Sequence, residues 1–134
     1  AKSYFSFCKG QKSDFFFLQE THSDEGDEKF WSQQWGEKIL FSHGSNRSAG
    51  TAICLNRQVG NILTSKKDVD GHWVTCVINV DEVLVVLINI YGYNNEQKNK
   101  YLLYQITNII EEFNNRYFID HIIMGGDFNI TQDE

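Results

Sequence analysis

Proline is absent from all 134 residues, and no Ser/Gly-rich or low-complexity stretch stands in for it. Nothing therefore marks a linker or a domain boundary. The composition, 41% hydrophobic and 14% aromatic, is that of one soluble globular domain rather than a disordered or fibrous chain. Long apolar runs are also missing. The longest, "VLVVLINIY", falls far short of the roughly 20 residues a membrane helix needs. Ala1 opens no charged segment followed by an apolar one of the signal-peptide kind, so an unexported chain with no membrane partner is expected. Cysteine is scarce. Cys8, Cys54 and Cys76 are odd in number and widely spaced, which suits neither a disulfide framework nor a zinc motif, and they read as buried thiols in a reducing compartment. Positive charge is in deficit, 12 Lys and Arg against 18 Asp and Glu, giving a net charge of −6 and a pI near 5.1. No global basic field marks the chain as a coat for nucleic acid, although an acidic site of the metal-binding kind stays open.

What is present is strand and helix in alternation. "KSYFSFCK", residues 2 to 9, carries Tyr4, Phe5 and Cys8 at helical spacing before Gly10. "DFFFL" reads as a buried strand, and "DEKFWSQQW" as a short helix with acidic residues in its first turn, where the helix dipole favours them. "KILFS", "GTAICLN" and "NILTS" are short strands, with loop chemistry in "HGSNRSAG". "HWVTCVINV" and "VLVVLINIY" form a hairpin joined at Asp81 and Glu82, a turn without the usual glycine. Over residues 96 to 117, Leu102, Leu103, Ile106, Ile109, Ile110 and Phe113 fall on one helical face. That helix must cross over to "HIIMGG", which predicts a right-handed parallel βαβ unit.

Three apolar runs end in polar clusters: Phe15 to Leu18 in Gln19, Glu20 and Thr21; Val83 to Ile90 in Tyr91 and Asn94; Ile122 to Met124 in Gly125, Gly126, Asp127, Phe128 and Asn129. In open α/β sheets, ligands bind beyond the carboxyl ends of the strands. If the three strands are parallel neighbours, Glu20, Tyr91, Asp127 and Asn129 converge on one edge. In extended chain Asp127 and Asn129 share a side while Phe128 turns to the core, and Gly125 and Gly126 leave room for a ligand or another backbone. Two carboxylates, an amide and a phenol, with no reactive Cys and no glycine-rich phosphate loop, suit a hard cation such as Mg²⁺ and the hydrolysis of a phosphate ester.

"LQETHS", "NIYGYN" and "GGDFN" resemble, in that order, three motifs of the endonuclease/exonuclease/phosphatase superfamily. "RSAGTAICL" and "DGHWVTCVINVDEVLVVLINIYGYNNEQKN" further resemble the endonuclease domain of LINE-type, L1-like retrotransposons. The resemblance covers nearly the whole chain. It implies a DNase I-like α/β sandwich, here its first half, with a mixed sheet flanked by helices on one face and a second sheet on the other in the intact family. It implies that Glu20 binds Mg²⁺ or Mn²⁺, that Tyr91 contacts phosphate, and that Asp127 orients or deprotonates the attacking water. Asn129 would position water and phosphate, and Asn94 would touch the substrate backbone. The reaction implied is nicking of DNA in the nucleus, leaving a 3′-hydroxyl that primes reverse transcription.

Against that pattern, residues 1 to 134 lack the family's first strand with its Asn and a second half ending in a Ser-Asp-His motif. The expectation is a partial domain, inactive by itself, whose uncovered sheet face drives self-association. "GYN" also replaces the usual proline-containing turn. Plainer readings stand beside these: Glu20 as a solvated loop carboxylate, Tyr91 as an edge aromatic, His22 and His72 as structural, and Phe30, Trp31 and Trp35 as packing around a short helix. His43 and Arg47, in the loop before "AGTAICL", are candidate DNA-backbone contacts. Within the superfamily a phosphoinositide or another phosphate ester is an alternative substrate, and outside it the chain reads as a non-enzymatic relic or binding module.

Overall fold

The computed structural model describes residues 14–56 and 59–129, so the helix expected over residues 2 to 9 lies outside the described residues. In chain order the elements are β1 (Phe15–Gln19), α1 (Glu28–Trp35), β2 (Ile39–Ser42), β3 (Thr51–Leu55), β4 (Asn61–Lys67), β5 (Trp73–Val80), β6 (Val83–Tyr91), α2 (Glu96–Arg116) and β7 (His121–Asp127). A tight Glu25–Asp27 turn leads into α1, which stops at Gly36 in the left-handed region at φ 85°. The α2 N-terminus is capped by Asn95, whose side chain accepts from the Lys98 amide.

Among the described residues the strands divide into two sheets, one of three strands in the order β1-β3-β2 and one of four in the order β4-β5-β6-β7. The first is antiparallel throughout. In the second, β4, β5 and β6 are antiparallel, while β7 runs parallel to β6 across the α2 crossover. This corrects one premise of the sequence reading: β6 and β7 are parallel neighbours, but β1 belongs to the other sheet. The physical reason is that β1 is apolar on both faces, so its pattern fits equally well in either sheet.

Alternation along the strands builds, among the described residues, three cores and thus four layers. Val86, Ile88 and Ile90 of β6, with Trp73 and Val77 of β5, face Leu102, Ile106, Ile109 and Phe113 of α2. The intervening Val74, Cys76, Ile78 and Leu87 face the other sheet, where Ile53, Leu55, Phe15 and Phe17 meet them. Ala52 and Cys54 turn outward with Leu18 and Phe41 to pack on Trp35 and Trp31 of α1. The order is α1, three-stranded sheet, four-stranded sheet, α2. The mixed sheet is therefore covered on both faces within this chain, and the fully bare face expected from the sequence is not there. Among the described residues β7 stays open, with Ile122, Ile123 and Met124 exposed.

Smaller expectations also resolve. Leu103 points to solvent rather than joining the apolar stripe, because residues 102, 106, 109 and 113 already complete a 3.6-residue seam. Trp31 and Trp35 pack as core, with Trp35 Nε1 donating to Leu55 O at 3.0 Å, whereas Phe30 is exposed. Cys54 and Cys76 are buried, and burial pushes the Cys76 thiol up to about 12, so it stays protonated. Among the described residues no helix is long and apolar enough to cross a membrane.

Candidate active site

The carboxyl ends of β1, β6 and β7 meet although they come from two sheets. β6 and β7 pair so that Tyr91 lies opposite Asp127, and Gly92 N donates to Asp127 O at 2.7 Å. From the other sheet, Glu20 follows directly on β1, and the Tyr91 phenol donates to its Oε1 at 2.9 Å. Asn129 completes the group. Its side-chain amide donates to Gly92 O at 2.8 Å, and its backbone amide donates to Asp127 Oδ1 at 3.0 Å. Four of the six site residues taken from the sequence, Glu20, Tyr91, Asp127 and Asn129, therefore stand together.

How Asp127 and Asn129 come together differs from expectation. Asn129 has φ 50°, so the chain turns back at this point instead of continuing extended. The Asp127 carboxylate accepting the amide two residues on is the familiar Asx device for such a turn. Phe128 packs against the α2 core as expected. The glycines before it admit protein rather than ligand: a Cβ on Gly125 would lie 3.0 Å from Phe17 Cδ2, and one on Gly126 would lie 2.0 Å from Ile90 O.

Glu20 is strained. It and His22 are non-glycine residues at φ 52° and 49°, and such conformations persist where surroundings over-determine them. Here the loop 43–50 supplies the clamp. Thr21 N and His22 N donate to Gly50 O and Ala49 O at 3.2 and 3.0 Å. The His22 ring donates to Arg47 O at 2.9 Å. Below them a chain of side-chain hydrogen bonds runs from Thr21 to Ser23 (2.8 Å), Ser23 to His43 (2.8 Å) and His43 to Glu28 (2.7 Å). His43 is thus tied into the loop that presents Glu20.

The other two residues lie outside this group. Arg47 donates to both carboxylate oxygens of Asp27 and reaches Asp24 at 3.3 Å, so a phosphate would have to compete with two carboxylates for it. Asn94 is exposed in the bend between Tyr93 and the Asn95 cap. His72 is structural, as its plainer reading had it. Its Nδ1 donates to Tyr91 O, and its ring stacks on Tyr93 with centroids 3.6 Å apart and on Tyr91 at 5.4 Å.

The Tyr91 phenol is held above its ordinary range, first by burial and then by the hydrogen bond to Glu20 and the negative charge there. Asp127 adds to the shift, and Asn129 works against it. It is therefore a neutral donor at physiological pH. Glu20 and Asp127 are both exposed. Among the described residues no three His, Cys, Asp or Glu side chains cluster as a metal cage. The donor set nevertheless fits Mg²⁺, which keeps several waters and commonly takes one or two carboxylates plus substrate oxygens.

Two contributors escaped the sequence reading. Gln19 was taken only as a polar residue at a strand end, and Asn89 was hidden inside "VLVVLINIY". Asn89 is fully buried and hydrogen-bonded to both strands of the facing sheet that lie beneath Glu20. A lone amide in an otherwise apolar run was the available signal, since buried amides need partners.

No family model and no curated protein matches the sequence. Solved structures do match. TDP2 from Caenorhabditis elegans superposes with a TM-score of 0.71 at 16% identity, over 97% of this chain and 42% of that one. D. rerio TDP2 complexed with a single-strand DNA product gives 0.66 at 16% identity, over 98% and 54%. ANGEL2, a 2′,3′-cyclic phosphatase solved with adenosine-2′,3′-vanadate, gives 0.66 at 17% identity, over 94% and 42%. The chain thus has the DNase I-like α/β fold and spans about half, or less, of the length of the structures it matches.

Proposed function

We propose that this chain carries the first part of a metal-dependent phosphodiesterase site whose substrate is DNA, and that it is the nicking endonuclease of a LINE-type retrotransposon. The observation that carries the reading is the meeting of Glu20, Tyr91, Asp127 and Asn129 through the contacts from Tyr91 to Glu20 and from Asn129 to Gly92. The sequence motifs and the likeness to a TDP2 structure holding a DNA product support it. Asp127 accepts the proton of the attacking water as the water oxygen bonds to phosphorus and the bond from phosphorus to the 3′-oxygen breaks, the 3′-oxygen leaving to take a proton from solvent. Asn129 orients that water and a phosphate oxygen, and Tyr91, kept protonated, turns its one O–H from Glu20 to phosphate. Glu20 would hold Mg²⁺ or Mn²⁺, which when bound supplies positive charge to the phosphate. Asn94 and Arg47 are placed as contacts to the DNA backbone, Arg47 after release from Asp27. A DNA target sets the location in the nucleus. The chain self-associates through β7, whose Ile122, Ile123 and Met124 are exposed.

A second reading, a relic or binding module, draws on the lack of a three-residue metal cluster among the described residues. A phosphatase acting on another ester draws on the likeness to ANGEL2. Nicking of supercoiled plasmid in Mg²⁺ and in EDTA separates these, using this chain, a longer chain extended at both ends, and Asp127→Ala in each. The expected result is nicking by the longer chain only, lost with Asp127→Ala and in EDTA. If the longer chain leaves plasmid intact but hydrolyses a phosphoinositide or a 2′,3′-cyclic phosphate, the phosphatase reading replaces this one. If it does neither, the relic reading stands.

A further inference from the structure

Glu20 follows a strand of one sheet and Tyr91 ends a strand of the other, so no backbone ladder sets the distance between them. Within a sheet, register is fixed by paired amides and carbonyls. Between sheets the contact is mostly apolar, and such packing is non-directional and accommodates small shifts. Apart from the Tyr91–Glu20 hydrogen bond itself, whose length is the quantity in question, a directional contact is needed to hold β1 against β6 at the site end.

Asn89 meets that requirement. It is fully buried on the face of β6 that looks at the three-stranded sheet. Its side-chain nitrogen donates to Leu18 O at 2.8 Å and to Ala52 O at 2.9 Å, and those two residues are opposite one another in the β1–β3 register. Its side-chain oxygen accepts from Gln19 Nε2 at 2.8 Å. Two carbonyls can only accept, so the orientation of the amide is determined by its partners. All three bonds cross between the sheets. Gln19 is the residue before Glu20, and Asn89 lies two before Tyr91. Leu87, the neighbour on the same face, shows that an aliphatic side chain fits this layer. A polar group here is the costlier choice for burial alone.

We infer that Asn89 is a positioning residue for the site, a clamp between the two sheets that sets the separation of Glu20 and Tyr91. The inference rests on the functional reading of those two residues but is tested without metal or DNA. The measurement is the nuclear Overhauser contact between the Tyr91 ring and the Glu20 side chain in isotope-labelled protein. It is compared for the parent, Asn89→Leu, and Val77→Ala, a core change on the opposite face of the same sheet.

The contact is expected in the parent and in Val77→Ala, and at least about fivefold weaker in folded Asn89→Leu. Full intensity in folded Asn89→Leu overturns the inference. Should Asn89→Leu fail to fold, Gln19→Leu, which removes only the bond that Asn89 accepts, is read in the same way. In the longer chain, if it nicks DNA, Asn89→Leu should lower kcat by about a hundredfold with KM little changed, the expected cost of a small misplacement. Loss of the contact in a protein that never nicks supports the clamp and sinks the nuclease reading. Nicking with the contact unmoved does the reverse.

Discussion

Tyr93 is enclosed by its neighbours. His72 stacks on one side, Lys98 Nζ lies 5.4 Å from the ring centroid, and Asn99 bonds both the amide and the carbonyl of its backbone. Burial, followed by the charges of Asp68 and Asp70, pushes its phenol up to about 12. The unfolded chain ionises Tyr93 near its ordinary value of 10.0 while the folded chain keeps it neutral. The stabilisation is therefore complete below about pH 10 and is lost as pH rises through about 12. Urea unfolding between pH 9 and 12 should show a midpoint that falls over this window. In Tyr93→Phe that part of the slope should disappear. An equally steep fall in Tyr93→Phe would assign it to other groups.

Among the elements, the β5–β6 hairpin shows how far the sequence could be read. Both strands and the two-residue turn at Asp81 and Glu82 are visible as alternating runs around a polar pair, and the observed register closes Val80 on Val83. The turn needs left-handed backbone at both positions, φ 52° and 69°, without a glycine to supply it. Glu82 N bonding to Asn79 Oδ1 at 2.9 Å helps hold it. Replacing Asp81-Glu82 by Asn-Gly should therefore stabilise the protein by about 1 kcal/mol, from the 1–2 kcal/mol that left-handed L-residues cost. A urea midpoint that rises with an unchanged slope would bear this out, and an unchanged midpoint would mean the native pair is not strained. The β7 crossover and the α2 seam were equally legible, because periodicity is a local signal. Which sheet each strand joins was not. β1 is bounded by no pattern that distinguishes its two faces, and its partners are residues 51 to 55 in β3 and Asn89 in β6, contacts that only the folded chain reveals. The convergence of Glu20, Tyr91, Asp127 and Asn129 was legible for the same reason the strands were: these residues follow apolar runs. Arg47 stands apart from that group: a loop arginine carries no periodic context from which its place could be read, and two aspartates hold it.

For the molecule as a whole, the two outer strands of the four-stranded sheet are treated differently. β4 alternates exposed with half-buried residues and ends in Lys66 and Lys67, which discourage pairing with another chain. β7 has neither lysine nor proline. Among the described residues it is paired on one side alone, and Ile122, Ile123 and Met124 are 43%, 41% and 42% exposed. An apolar edge of this kind offers both unpaired backbone groups and side chains to bury, the combination that leads to strand addition. The chain is expected to self-associate through β7 at high micromolar concentration, and Ile122→Lys, placing charge on that edge, should return it to a 15.6 kDa monomer. Light scattering across that range decides the point. A parent that stays monomeric shows the edge to be inert, and association that survives Ile122→Lys moves the interface elsewhere, with the exposed Tyr101, Leu103 and Tyr104 of α2 the next surface to change.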